Sequence, residues 1–239
     1  VHSLKGTVYS IKNKQSNKVH SFDNKEQFTE FHTSRSGSYL FRPQSEARSL
    51  GDSQHVQHIA LIQHEAFEEI IVFGKRIHQR IRLLNQKTKE SNFIQQTLFI
   101  APLSSNTELM SNYYIEDGKS SLITFDGVNF VKRHVRHDAP IAARFYPSPN
   151  GAVYRGKTDQ LTILTQHSMG VTVSEPNENN SGSMGFMVHR RLSKDDGRGM
   201  SQGNNDESSL VVNFLLSYDS VKDVHERSFV GFQRISHSW

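Results

Sequence analysis

Short stretches of apolar residues recur along this chain between turn-forming residues, and this pattern constrains the fold more than any other feature. Residues 160–165 and 186–192 are typical of strands. Ser121 to Val131 is typical of a hairpin, because Asp126-Gly127 tolerates the positive φ of a tight turn. Leu210 to Leu216 is apolar at six of seven positions, so we expect a strand buried on both faces. The pattern predicts an all-β fold, an antiparallel β-sandwich.

Composition excludes several classes of protein. The 239 residues include no cysteine, which excludes a disulfide framework, a thiolate metal site and a cysteine nucleophile. No apolar run approaches the ~18 residues of a membrane-spanning helix, so we expect no membrane span in this chain. The net charge is +4, and the densest basic patch, Lys132 to His137, lacks the interleaved aromatic residues of a single-strand binder. We therefore expect a globular β-rich chain without a nucleic-acid partner.

Two further groups of residues are open to a chemical interpretation. His55, His58 and His64 could suggest a metal cluster, but their spacing fits no zinc pattern and their neighbours are glutamines, which favours a solvated polar surface. Asn179 begins the glycosylation sequon Asn-Asn-Ser in a polar loop, which indicates the secretory route.

The most specific stretch of the sequence is His189 to Gly199. A strand ends there in Arg190 and Arg191, and a turn follows that holds two carboxylates and a third arginine between glycines. Such charges can form an internal ion-pair network that fixes a loop, or the arginines can reach toward a polar ligand. The residues alone favour the network, whose members would be Asp195, Asp196 and Arg198.

Several motifs together resemble those of the class II α-mannosidases, glycoside hydrolase family 38. The order and rough spacing of the motifs match the family from Gly37 to Gly203, with Ser38 in place of the usual alanine. His189 and Gly197 look more like the lysosomal than the Golgi branch. The matching stretches are Ser36–Pro43 (family Ser-Gly-Ala-Tyr-Leu-Phe-Arg-Pro), Phe145–Pro147 (Tyr-Tyr-Pro), Leu161–Thr165 (Leu-Thr-Leu-Leu-Thr), Arg190–Leu192 (Arg-Arg-Leu) and Asp195–Gly199 (Asp-Asp-Gly-Arg-Gly).

The resemblance implies which part of such an enzyme the chain represents. Family members have an N-terminal α/β barrel with a zinc ion and two catalytic aspartates, then a helical bundle and β-sandwich domains. The chain aligns with the C-terminal part alone, so we expect residues 1–239 to form a galactose-mutarotase-like supersandwich that begins inside a domain, without the barrel. None of the thirteen histidines is followed two residues later by aspartate, so the family's His-x-Asp zinc motif is absent. We expect no zinc ligand from this chain.

The resemblance also implies a function. The full enzyme would be a zinc-dependent retaining α-mannosidase that removes terminal α-mannose from N-glycans, in the lysosome or another secretory-pathway compartment. A retaining glycosidase needs two carboxylates ~5–5.5 Å apart. Asp195 and Asp196 are adjacent and flanked by Lys194 and Arg198, so they are better suited to orienting arginines than to attacking a sugar. We expect no catalytic residue in this chain, and no activity without its partner, the N-terminal catalytic part.

In the family, a tyrosine of the first motif and an arginine of the Arg-Arg-Leu region reach the active-site rim. Carried over, these are Tyr39 and either Arg190 or Arg191, whose phenol and guanidinium groups suit hydrogen bonds to the hydroxyls of mannose-containing glycans. Successive strand residues point to opposite faces, so only one arginine is expected to face the site. The alternative function is a non-catalytic carbohydrate-binding or assembly module of the same fold.

The segment from Ile59 to Leu84 fits two secondary structures. Its apolar residues are spaced by three or four, as in an amphipathic helix, but Ile70-Ile71-Val72 is β-branched and residues 77–83 alternate. The β-rich architecture of the family favours strands, and we predict two strands that break at Gly74.

Overall fold

A computed structural model describes residues 10–12, 19–21, 27–85, 93–115, 121–136, 138–174 and 182–220. Apart from two 3₁₀ turns, Gly51–Gln54 and Ile141–Arg144, its regular elements are all strands. The strands are β1 (Ser10–Lys12), β2 (Val19–Ser21), β3 (Phe28–His32), β4 (Arg48–Ser49), β5 (Val56–Gln63), β6 (Phe67–Gly74), β7 (Ile77–Leu84), β8 (Ile94–Ile100), β9 (Thr107–Ile115), β10 (Ser121–Phe125), β11 (Phe130–Arg133), β12 (Tyr146–Ser148), β13 (Gly151–Arg155), β14 (Asp159–Thr165), β15 (Met169–Ser174), β16 (Gly182–Arg191) and β17 (Leu210–Ser220).

The described strands form two large sheets and one small one. The nine-stranded sheet has the order β11-β10-β13-β14-β17-β8-β7-β6-β5, and the six-stranded sheet has the order β12-β15-β16-β9-β3-β4. β1 and β2 pair separately. Neighbouring strands run antiparallel in both large sheets, as in the pairs β16–β9 and β17–β8. The predicted all-β antiparallel class is therefore confirmed.

One hydrophobic core lies between the two large sheets. Tyr113 of β9 shows how the sheets interlock: its ring meets Phe186 of the same sheet at 6.2 Å and Phe214 of the opposite sheet at 5.7 Å, both edge to face. Edge-to-face pairs of this kind add to the stabilisation from burial. The fully buried residues of this core include Leu98, Ile100, Leu109, Leu122, Tyr154, Leu161, Ile163, Val171 and Met184.

The predicted strands are largely confirmed. Ser121–Phe125 and Phe130–Arg133 form the hairpin, with Gly127 at φ 96° in its turn. The strands over 160–165 and 186–191 lie within β14 and β16. In β17, Phe214, Leu215 and Leu216 are buried on both faces, but Val211 is exposed. The expectation of full two-sided burial over 210–216 is therefore wrong at the start of the strand.

The segment from Ile59 to Leu84 is composed of strands, as predicted, and a break does occur at Gly74. The number of strands is three rather than two, because the chain also turns between β5 and β6. There His64 and Phe67 exchange backbone hydrogen bonds at 2.9 and 3.3 Å. The two residues inside that turn are Glu65 and Ala66, neither of which is a turn signal in the sequence.

One sequence-based expectation, the glycosylation sequon at Asn179, falls outside the described residues. Within the described ranges, no helix has the length and apolar character needed to cross a membrane.

Candidate functional site

A tight loop at residues 37–40, between β3 and β4, carries Tyr39 outward. The backbone N–H of Gly37 donates to the carbonyl of Leu40 at 3.0 Å, which closes the loop on itself. The Tyr39 side chain is 63% exposed. An exposed aromatic residue on a loop held by its own backbone is available to a ligand.

Arg190, at the end of β16, binds this loop from below. Its Nη2 donates to the carbonyls of Gly37 and Leu40, both at 3.1 Å, and its Nη1 donates to the carbonyl of Ser38 at 3.2 Å. A guanidinium offers five donors in a fixed planar fork, so it can satisfy several loop carbonyls at once. Arg190 therefore fixes the backbone on both sides of Tyr39.

Glu108 of β9 holds Arg190 in place from the opposite side. Its Oε1 accepts hydrogen bonds from Nε and Nη2 of Arg190 at 2.8 and 2.6 Å, and its Oε2 accepts from the Ser36 hydroxyl at 3.1 Å. The Glu108 side chain is completely buried. Burial raises the pKa of Glu108, although Arg190 and the Ser36 hydrogen bond oppose that shift. Removing Arg190 would leave the buried Glu108 carboxylate without its counterion, which destabilises a protein strongly.

The Ser36 hydroxyl connects the carboxylate to the far end of the loop, since it also accepts the backbone N–H of Arg42 at 2.8 Å. Ser36 is fully buried. Side chains from β9 and β16 thus fix the segment from Ser36 to Arg42 at several points. Hydrogen bonds of this kind in a buried setting restrict the loop to one conformation.

Asp196 binds the same loop from the turn that follows β16. Its Oδ2 accepts the backbone N–H groups of Tyr39 and Leu40 at 2.7 and 3.1 Å. The close approach requires Gly37, since a Cβ there would lie 2.4 Å from the Cβ of Asp196. The turn also contains Gly197 at φ 68°, a conformation that favours glycine. The carboxylate of Asp196 therefore positions Tyr39 through the backbone.

Arg191 points away from this loop, as the alternation of a strand predicts. Its Nη1 donates to the carbonyl of Leu103 at 2.8 Å, its Nε donates to Asn205 at 2.9 Å, and its Nη2 pairs with Glu207. The two arginines thus have separate partners, and Arg190 is the one beside Tyr39.

The predicted network residues differ in their contacts. Asp196 joins the turn to the Tyr39 loop, whereas Asp195 accepts the backbone N–H of Gly197 at 3.2 Å and so shapes the turn itself. Arg198 is exposed, and its guanidinium makes no hydrogen bond or ion pair within the described part of the chain. The residues that sequence reasoning missed are Glu108 and Ser36. No local pattern marks Glu108, which lies 82 residues before its partner Arg190.

The histidines singled out in the sequence do not form a site. His55, His58 and His64 are exposed on or beside β5. Across the described ranges, no three His, Asp or Glu side chains come together as a metal site would require. A zinc ion of the kind that the family resemblance implies does not fit the described residues.

Comparison with known proteins identifies the class to which this fold and this loop belong. Residues 1–198 match the model of the glycosyl hydrolases family 38 C-terminal domain. The chain therefore belongs to glycosyl hydrolase family 38, as its C-terminal domain.

Individual relatives point to α-mannosidases. Alpha-mannosidase 2 of Drosophila melanogaster is 29% identical over 196 residues, which cover 80% of this chain and 16% of the relative. Alpha-mannosidase 2x of Mus musculus is 28% identical over 76% of this chain and 16% of the relative. Lysosomal alpha-mannosidase of Homo sapiens is 41% identical, but over 63 residues, or 26% of this chain and 6% of the relative. The chain spans about a sixth of the length of the first two relatives.

These matches bear on the branch that the sequence suggested. The long matches are to α-mannosidases of type 2, so the resemblance to the lysosomal branch is restricted to a short stretch. Among solved structures, an alpha-mannosidase from Enterococcus faecalis V583 superposes with a TM-score of 0.70 at 11% identity, over 95% of this chain and 28% of that chain. At that identity the superposition shows a shared fold.

Proposed function

We propose that this chain is the C-terminal part of a zinc-dependent retaining α-mannosidase that hydrolyses terminal α-mannose of N-glycans. In this proposal the chain completes the active-site rim with Tyr39. The zinc ion and the reacting carboxylates belong to the catalytic part of such an enzyme, which is also the partner of this chain. The complete enzyme would act in the lysosome or another part of the secretory pathway.

The observation that carries the proposal is the Tyr39 loop. An exposed tyrosine sits on four residues whose backbone is bound by Arg190 from one side and by Asp196 from the other. The buried Glu108–Arg190 pair supports this assignment, because it restricts the loop that carries the exposed Tyr39 to one conformation. Membership of a glycosidase family gives the ligand class.

In this role the chain binds and orients rather than reacts. The phenol hydroxyl of Tyr39 can donate one hydrogen bond and accept another, which suits a sugar hydroxyl. Of the two rim arginines, we assign Arg190 an indirect contribution through the loop, because its donors are directed at loop carbonyls and Glu108. Arg191 hydrogen-bonds Asn205 in the segment after the turn, and so supports that turn from the side of β16 that faces away from the Tyr39 loop.

The test is the activity of the complete enzyme, containing this chain and the catalytic part, on an aryl α-mannoside. Tyr39→Phe removes one hydroxyl and should lower kcat/KM by about 2- to 10-fold, which corresponds to one neutral hydrogen bond. Tyr154→Phe is the matched control, because that buried hydroxyl donates to the carbonyl of Ser174, away from the loop. Equal kcat/KM in wild type and Tyr39→Phe would contradict the role of Tyr39, and the absence of mannosidase activity from the complete wild-type protein would contradict the function.

A further inference from the structure

An open groove with a volume of about 590 Å³ lies beside the Tyr39 loop. One wall is made by Arg35, Phe41 to Pro43 and Glu46, and the other includes Pro140 and the 3₁₀ turn Ile141–Arg144. Among the described residues that line the groove, three are arginines, Arg35, Arg42 and Arg144, and one is a carboxylate, Glu46. The groove lining therefore carries a net positive charge.

Two of the three arginines are available to a ligand. Arg144 is already engaged, since its Nε donates to the carbonyl of Ala139 at 2.8 Å and its Nη1 meets Glu46 at 3.4 Å. Arg35 and Arg42 are exposed, and within the described ranges neither guanidinium makes a hydrogen bond or an ion pair. Of the lining residues that the structure describes, the one carboxylate, Glu46, is thus paired with Arg144, the arginine that is not free.

One buried hydroxyl joins the backbone of the two free arginines. Oγ1 of Thr33 donates to the carbonyl of Arg42 at 2.7 Å and accepts the backbone N–H of Arg35 at 3.0 Å. Thr33 itself is buried. Arg35 and Arg42 are seven positions apart in the chain, and this hydroxyl holds them on the same wall.

The groove also has a rigid apolar base. Phe41 lies in the lining and packs edge to face on Phe145 at 4.8 Å and on Phe31 at 5.1 Å. Phe31 is buried in β3. This aromatic cluster packs around the residue before Arg42.

We propose that this groove is an oxyanion site that binds a phosphate group, either free or as an ester on a sugar. Phosphate carries between one and two negative charges at neutral pH, so it complements two unpaired arginines. Planar guanidinium groups bind phosphate oxygens through paired, charge-assisted hydrogen bonds. The site is separate from the Tyr39 side chain, and phosphate binding does not depend on mannosidase activity.

Isothermal titration of the complete chain with inorganic phosphate at low ionic strength tests the site. Wild type should bind phosphate saturably, and Arg35→Gln/Arg42→Gln should weaken that binding at least about tenfold. The matched control is Arg48→Gln/Lys132→Gln, which removes the same charge from exposed residues outside the groove lining and should bind phosphate as wild type does. Thermal unfolding of each variant checks that it is folded.

Two additional arms complete the test. Arg35→Lys/Arg42→Lys keeps the charge but loses the forked donors, so it should retain part of the affinity. It replaces the glutamine variant in the test if that variant does not fold. A hexose 6-phosphate that binds more tightly than inorganic phosphate, while the neutral methyl hexoside does not bind, would assign the site to sugar phosphates; equal binding would assign it to free phosphate. Absence of saturable binding to wild type, or an equal loss in the control, would overturn the proposal.

Discussion

At the scale of single residues, the environment of Tyr39 depends on the pairing of Arg190 with Glu108. Arg190→Met keeps much of the side-chain volume but leaves the buried Glu108 carboxylate without its counterion. We expect the free energy of unfolding to fall by about 3–5 kcal/mol. Urea denaturation of the variant measures this, with Arg48→Met as the control, since Arg48 is an exposed residue of β4. A loss below about 1 kcal/mol would show that the pair does not hold the loop.

Gly37 is the second residue whose role is testable. A Cβ at this position would come within 2.4 Å of the Cβ of Asp196 and 2.7 Å of its Oδ2, so the loop and the turn would have to separate. Gly37→Ala should therefore lower the free energy of unfolding by about 1–3 kcal/mol, as overpacking does. The control is Gly197→Ala, where nothing lies within 4 Å and the strain comes from the positive φ alone. Tyr39 mobility in Gly37→Ala should rise, as measured by 19F NMR of protein labelled with 3-fluorotyrosine, with the Tyr39 resonance assigned by Tyr39→Phe; unchanged mobility would contradict the contact.

The family resemblance singled out Tyr39 and the charge pattern singled out Asp196, but neither marked Glu108. Tyr39 and Asp196 belong to motifs that are legible in the sequence, and the structure joins them by a hydrogen bond at 2.7 Å. Glu108 carries no such signal, because it pairs with Arg190 only through the non-local alignment of β9 with β16. A contact across 82 residues depends on sheet register, which local periodicity does not encode.

At the scale of elements, β5 explains why the segment from Ile59 to Leu84 was ambiguous. β7 alternates between buried and partly exposed residues as a half-buried strand should, but β5 lies at the sheet edge, where Leu61 and Ile62 are both exposed. On an edge strand, apolar residues can lie on either face of the sheet. Their spacing in the sequence can then be three or four residues, as in an amphipathic helix, although the segment is a strand. Gly74 indicated one of the two turns in the sequence, whereas Glu65 and Ala66, at the other turn, are not turn-forming residues.

His189, which precedes Arg190 in β16, should make the stability of the folded chain depend on pH. Burial lowers the pKa of His189, so the folded chain favours the neutral imidazole. The unfolded value is about 6.5, so the contribution of His189 to stability is present above that pH and is lost as the pH falls through the lower folded value. We expect His189→Gln to be less sensitive than wild type to acidification below about pH 6.5.

The measurement is the free energy of unfolding from urea titrations at a series of pH values in both proteins. The difference between wild type and His189→Gln should shrink steadily as the pH falls. Parallel pH profiles for the two proteins would contradict the assignment of the effect to His189.

At the scale of the whole molecule, the class of fold could be predicted and the strand order could not. Alternating patterns and turn residues indicated two packed antiparallel sheets, and one core between two sheets is what the structure has. The larger sheet, however, inserts β17 between β14 and β8, which are far apart in the chain. That order depends on which apolar faces fit together in three dimensions, a property absent from the pattern of any single strand.

The two residues that hold the Tyr39 loop lie close together in the fold. Arg190 is at the end of β16 and Asp196 is in the turn that follows it, and β16 is paired with β9, the strand that supplies Glu108. The central claim is that Asp196 acts on a sugar ligand through the position of Tyr39 and not by contact. If so, the two residues form one functional unit, and the effects of changing them must not be independent.

A double-mutant cycle on the complete enzyme tests this claim most directly. The kcat/KM for an aryl α-mannoside is measured for wild type, Tyr39→Phe, Asp196→Ala and the double variant, after thermal unfolding has shown each to be folded. We predict that the double variant has the same kcat/KM as Asp196→Ala within the error of the measurement, and so shows none of the further loss measured for Tyr39→Phe alone, because a displaced Tyr39 has no hydroxyl contact left to lose. Losses that multiply, so that the double variant falls by the product of the two single effects, would contradict the account.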